Sequence, residues 1–149
     1  MINKNKVLLV CSPYYKSITE NLIKGASNVL KTNSFEYDTL LVPGALEIAP
    51  AIKIIYDKSH KNPFFKGFVA LGCVIRGETY HFEIVANEAS RALTYLSINY
   101  SIPIGNGILT VENKDQAIER SDPLKLNKGA DAALACLSLL SIKHSKDYE

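Results

Sequence analysis

Residues Leu71–Arg91 read LGCVIRGETYHFEIVANEASR, and the architecture follows from them. The first part, with Gly67 before it, is aliphatic on both faces, as expected of a central parallel strand. Arg76–Tyr80 is a polar turn. From His81 to about Asn99 the pattern becomes helical. A strand that passes through a short polar turn into a helix is one unit of an α/β protein. Backbone N–H groups at the start of such a helix bind anions, and the strand end fixes the geometry. Arg76, Thr79 and His81 therefore stand where a phosphorylated molecule could be held and a proton moved. His81 is one of three histidines, and imidazole titrates near neutrality. The plainer role for Arg76 is an ion pair with Glu83 or Glu88.

Outward from this unit the same alternation repeats. Lys6–Cys11 (KVLLVC) reads as a strand. The capping-box pattern Ser17-Ile18-Thr19-Glu20 then starts a helix to about Lys31, with Leu22, Ile23, Ala26, Val29 and Leu30 on one face. Phe35–Val42 is a second strand, stopped by Pro43-Gly44. A helix runs from about Glu47 to Asp57, with Pro50 in its first turn, where a missing N–H costs little. Asp57–Lys66 reads as a polar loop and Gly67–Ile75 as the third strand. Ile102–Val111 is a fourth strand, interrupted by Gly105 and Gly107. Asn113–Arg120 is a short helix with an Asn cap, and Gly129–Ile142 a final apolar helix. The tail from Lys143 reads as frayed. The order βαβαβαβαα implies a four-stranded parallel sheet with helices on both faces and right-handed crossovers. Ligands in such folds bind beyond the carboxyl ends of the strands, here Cys11–Ser17, Val42–Glu47, Cys73–His81 and Gly105–Asn113.

A chain of 149 residues fits one domain and can bury a core without disulfides or metal. The formal charge of +2 argues against a nucleic-acid binder that works by bulk electrostatics. The N-terminal apolar run is too short for a signal peptide, and no segment reaches the length of a membrane span. Cys11, Cys73 and Cys136 form no zinc pattern and read as small buried thiols of a reducing cytoplasm. Ser12-Pro13-Tyr14-Tyr15 lacks the glycines of a nucleotide-binding loop, which disfavours a flavin mononucleotide carrier; one of its tyrosines could stack on a flat ligand. Gly44 permits close backbone approach, and Glu47 suits a helix start. Arg120 closes the short helix, Lys128 opens the last one, and the two could share a phosphate with Thr79.

Taken together, VPGALE (Val42–Glu47), LGCVIRGETYH (Leu71–His81), Asn87-Glu88-Ala89, GILTVEN (Gly107–Asn113), QAIER (Gln116–Arg120) and NKGADAA (Asn127–Ala133) resemble the 6,7-dimethyl-8-ribityllumazine synthase family. The resemblance spans almost the whole chain. It implies a three-layer α/β/α flavodoxin-like sandwich and an enzyme needing no cofactor or metal. The implied reaction joins 5-amino-6-(D-ribitylamino)uracil to 3,4-dihydroxy-2-butanone 4-phosphate. It further implies a stacking aromatic at Tyr14 and pyrimidine- and ribityl-binding backbone at Ala45, Leu46, Glu47, Cys73, Val74 and Ile75. Phosphate contacts fall on Glu78, Thr79 and Arg120 with Lys128 nearby, the proton shuttle on His81, and a neighbouring subunit's contact on Asn106. The implied assembly is a cyclic pentamer, or in some members an icosahedral shell of sixty subunits, with no nucleic-acid or membrane partner. Many members have Phe-Asn at Tyr14-Tyr15, Phe at Asn106 and a small residue at Glu78. Many shell-forming members carry a Gly-rich loop where this chain reads Ser121-Asp-Pro-Leu-Lys-Leu-Asn127.

Overall fold

The computed structural model describes residues 5–59 and 63–149. The N-terminal tip and the middle of the Asp57–Lys66 loop lie outside the described residues. Four strands, β1 (Lys6–Cys11), β2 (Glu36–Leu41), β3 (Gly67–Ile75) and β4 (Ile104–Val111), form one parallel sheet in the order β2-β1-β3-β4. Five helices accompany them: α1 (Lys16–Thr32), α2 (Ile48–Lys58), α3 (His81–Tyr100), α4 (Lys114–Ser121) and α5 (Lys128–His144). A 3₁₀ turn at Ala45–Glu47 leads into α2.

The two-residue period of the strands sorts the core into two layers. Val7, Leu9 and Cys11 of β1, Val69 and Leu71 of β3, and Leu109 and Val111 of β4 pack under α1, α4 and α5. Leu8 and Val10, Phe68 and Ala70, and Ile104 and Ile108 pack under α2 and α3. β1 and β3 are apolar on both faces because each is covered twice. This is a flavodoxin-like α/β/α sandwich.

Several expectations are corrected. Ser17 and Glu20 form no capping box: α1 begins at Lys16, and its cap residue Tyr15 makes no side-chain cap bond. The turn is secured instead by the buried Thr19, whose hydroxyl donates to the Ser12 carbonyl at 2.7 Å. A hydroxyl that closes the preceding loop does more here than one that caps a helix already anchored by its apolar face. Gly105 and Gly107 do not interrupt β4. They let α5 lie against the strand: a Cβ at Gly105 would stand 1.8 Å from the Ala132 carbonyl oxygen. α5 also runs to His144, past the expected end, and Lys143 donates to the Ser101 carbonyl at 2.9 Å. Basic residues suit the negative end of a helix. Beyond it, Lys146–Tyr148 forms a 3₁₀ turn in place of a frayed tail.

Candidate functional site

The sheet order places the crevice. From β1 the chain goes to β2 on one side and then to β3 on the other, so the loops after β1 and β3 diverge. β3 also outruns β1: its last partner there is Leu71, and Gly72–Ile75 pair only with β4. Cys73, Val74 and Ile75 thus stand as a wall above the end of β1. With the loop Ser12–Tyr15, the turn Gly44–Glu47 and the start of α3, they enclose a hollow of about 350 Å³. Tyr14, Ala45, Leu46, Glu47, Cys73, Val74, Ile75, Thr79 and His81 all line it. Glu78 does not; it sits exposed in the turn before Thr79.

Within this hollow the two tyrosines differ. Tyr14 is 76% exposed, whereas Tyr15 packs against the core, and the rings meet edge to face at 5.0 Å. Burial, then the nearby Tyr14 and Cys73, push the Tyr15 phenol above its ordinary value. Burial alone pushes the Cys73 thiol up to about 11, so this side chain is a neutral wall and not a nucleophile. All three cysteines are free and buried. Glu47 caps no helix by its side chain, which leaves its carboxylate turned to the turn at Gly44. No packing demand explains Gly77, where an added Cβ would meet nothing within 4 Å.

His81 is the first residue of α3, and its N–H donates to the Thr79 hydroxyl at 3.4 Å. Arg76, five residues earlier in the chain, is not available to hold phosphate. Its Nε donates to Glu112 at 2.7 Å, its terminal nitrogen pairs with Glu83, and its guanidinium lies 4.4 Å from the Phe82 ring centroid. Those hydrogen bonds, Glu83's first, raise the Arg76 pKa, and Arg76 in turn lowers that of Glu83. Glu88 pairs with Arg91 instead, at 2.7 Å.

Arg120, Lys128 and Asn106 lie elsewhere. They line a second hollow of about 380 Å³ along β4, between α4 and α5, which shares no lining residue with the first. α4 is set by its predicted cap: Asn113 accepts the Gln116 N–H at 2.9 Å, while Gln116 accepts the Glu112 N–H at 2.8 Å. Arg120 at its far end donates to the Gln116 carbonyl at 3.3 Å and stands 3.7 Å from Glu119. Lys128 pairs with Asp131 at 3.2 Å. The Asn106 carboxamide turns back on its own strand, accepting the Ile108 N–H at 3.0 Å, and reaches Ser90 at 3.4 Å. Of the three cations that the sequence nominates for phosphate, Arg120 and Lys128 are here and Arg76 is tied up in its ion pairs; among the described residues no lysine or arginine lines the first hollow. Within one chain, then, Thr79 is not brought together with Arg120 and Lys128.

A family model described as 6,7-dimethyl-8-ribityllumazine synthase matches residues 4–144. The chain belongs to that family. It is 50% identical over 149 residues to the 6,7-dimethyl-8-ribityllumazine synthase of Bartonella tribocorum, covering 96% of this chain and 93% of that protein. The enzyme of the same name from Agrobacterium fabrum is 46% identical, covering 95% of this chain and 97% of the relative. That from Beijerinckia indica is 47% identical, over 93% and 75%.

Sequence reasoning missed some of the lining. Phe82 and Val85 join the first hollow, and Asp131, Ala132 and Ala135 the second. Helical spacing holds the signal: Val85 lies one turn after His81, and Asp131 one turn after Lys128. Among the described residues, no group of three or more His, Cys, Asp or Glu is arranged to hold a metal ion. No helix among them is long and apolar enough to cross a membrane.

Proposed function

We infer that the chain condenses 5-amino-6-(D-ribitylamino)uracil with 3,4-dihydroxy-2-butanone 4-phosphate to give 6,7-dimethyl-8-ribityllumazine, the penultimate step of riboflavin biosynthesis. The match of residues 4–144 to the 6,7-dimethyl-8-ribityllumazine synthase family carries this conclusion. The pyrimidine's amine attacks the ketone, and loss of water gives an imine. A proton leaves carbon, phosphate departs and the enol tautomerises. The second amine then closes the ring with loss of another water. The substrates supply nucleophile and electrophile, so the protein's part is to hold them and to move protons. Holding two flexible reactants in register is worth about 7–11 kcal/mol in favourable cases.

The first hollow is the pyrimidine and ribityl side of the site. Tyr14, exposed at its mouth, stacks on the ring, and the backbone of Ala45–Glu47 and Cys73–Ile75 fixes the polar edges. His81 carries protons between the condensing groups. Arg120 binds the phosphate with two parallel hydrogen bonds, as a guanidinium can, and Lys128 adds charge. Glu78 contributes only its backbone N–H, since its carboxylate repels phosphate. With the cations in the second hollow, the complete site is shared: one subunit's second hollow, with Asn106, closes over the first hollow of its neighbour. Heterologous contacts of this kind close a ring. The ring is a cyclic pentamer, and the glycine-free Ser121–Asn127 connection favours the free pentamer over a shell. Free thiols suit a reducing cytoplasm.

The test is direct. Mixing both substrates with the purified protein produces the lumazine chromophore and inorganic phosphate together. Absence of both from a folded, assembled sample overturns the conclusion. Light scattering separates the pentamer from the shell.

A further inference from the structure

The first turn of α3 carries His81 but is poorly anchored by its own chemistry. Its cap residue Tyr80 makes no side-chain cap bond. The residues from Arg76 to His81 are exposed, apart from the partly buried side chain of Arg76. Among the described residues, the side-chain bond within the turn is the long 3.4 Å contact of the His81 N–H with the Thr79 hydroxyl. Against this, three contacts converge from Arg76. Its guanidinium lies over Phe82 and pairs with Glu83, the two residues that follow His81. It also pairs with Glu112 at the end of β4. Glu112 is fixed in its turn, since its N–H is held by Gln116 at 2.8 Å, and the Arg76 N–H donates to Val111 at 2.9 Å. Arg76 therefore ties the start of α3 to the rigid edge of the sheet. A guanidinium suits this task because its planar fork reaches two carboxylates while its face rests on an aromatic ring.

We propose that Arg76 is a positioning residue for the reaction: through Phe82 and Glu83 it sets the imidazole of His81 against the substrates in the first hollow. It touches neither substrate. The inference rests on the reading of His81 as proton carrier.

The experiment is a double-mutant cycle on the assembled enzyme with Arg76→Ala, His81→Ala and both, read by steady-state kinetics. Hydrogen exchange of the 77–84 segment is followed in parallel. Arg76→Ala is expected to lower kcat about tenfold, within the roughly 10²-fold that an ångström of misplacement can cost, with KM for both substrates little changed. Exchange in the 77–84 segment should quicken. In the His81→Ala background the same substitution should change kcat by less than about twofold, since the group it positions is gone. Arg76→Lys, which can satisfy one carboxylate but not both, should lie between wild type and Arg76→Ala. A merely structural role would give the full loss in both backgrounds, and that result, or unchanged exchange, overturns the proposal while leaving the His81 reading intact. If His81→Ala leaves kcat untouched, the proton-carrier reading fails and the proposal with it.

Discussion

The two hollows differ in what their walls supply. The one beyond the ends of β1 and β3 is lined mainly by aromatic and aliphatic residues, with Ser12, Thr79, Glu47 and a single imidazole among them and no lysine or arginine among its described lining. The one along β4 holds Arg120 and Lys128 beside Asp131. A flat heterocycle needs stacking and backbone hydrogen bonds, whereas a phosphate needs fixed cations. On the proposed function, neither hollow serves both reactants. The difference teaches that one sheet can carry an apolar hollow and a cationic one on separate flanks, which on the proposed function makes the complete site a product of assembly.

Breaking each hollow in turn should give distinct signatures. The largest effect is expected from the first: His81→Ala should reduce kcat about 10²-fold, the lower end of what general acid–base catalysis contributes. Residual turnover should remain, because positioning survives; total loss in a folded variant would contradict this ranking. Next comes the second hollow. Arg120→Ala should raise KM for the butanone phosphate about tenfold, the loss of about 1.4 kcal/mol from a charge-assisted bond, with KM for the pyrimidine barely moved. Equal loss for both substrates would show that Arg120 does not read phosphate.

A smaller effect sharpens the comparison most. Refolding His81→Ala and Arg120→Ala chains together at equal amounts should restore wild-type clefts at about a quarter of the interfaces of a heterologous ring. Activity no greater than the sum of the separate variants would place both residues in a site within one chain. The smallest effect concerns the buried thiols, of which Cys73 lines the first hollow. Burial pushes Cys73 to about 11 and Cys11 and Cys136 to about 12, from an ordinary 9.0. Alkylation by iodoacetamide at pH 8 should therefore be slow at all three in the native protein and fast after unfolding. The native state keeps protons that the unfolded chain releases above pH 9. Its stability from this source is thus intact below pH 9 and is lost as pH rises towards 11–12. Rapid native labelling of Cys73 would show that the hollow opens.

Much of this was legible in the residues. β3 was expected at Gly67–Ile75 and is found there, because an uninterrupted aliphatic run between turns admits few other fates. Asn113 marked the start of α4 because a cap is a local hydrogen bond. The Ser17–Glu20 pattern misled for the converse reason: the local option lost to Thr19, which is buried against the preceding loop. The glycines of β4 suggested a break when they mark the close approach of α5, a contact made from far along the chain. Arg76 invited an anion, and of its two sequence-suggested partners Glu83 was right and Glu88 was not.

The sequence by itself determined the alternation of strands and helices and the family, and it named the candidate residues for charge and proton transfer, since all of these are written in side-chain type and short spacing. Only the tertiary structure decided how those residues are divided. Arg76 meets Glu112 across 36 positions, and His81 and Arg120 line different hollows. The physical reason is that a charge's partner is set by which strand ends lie side by side, and the order β2-β1-β3-β4 is a property of the packed sheet rather than of any local segment.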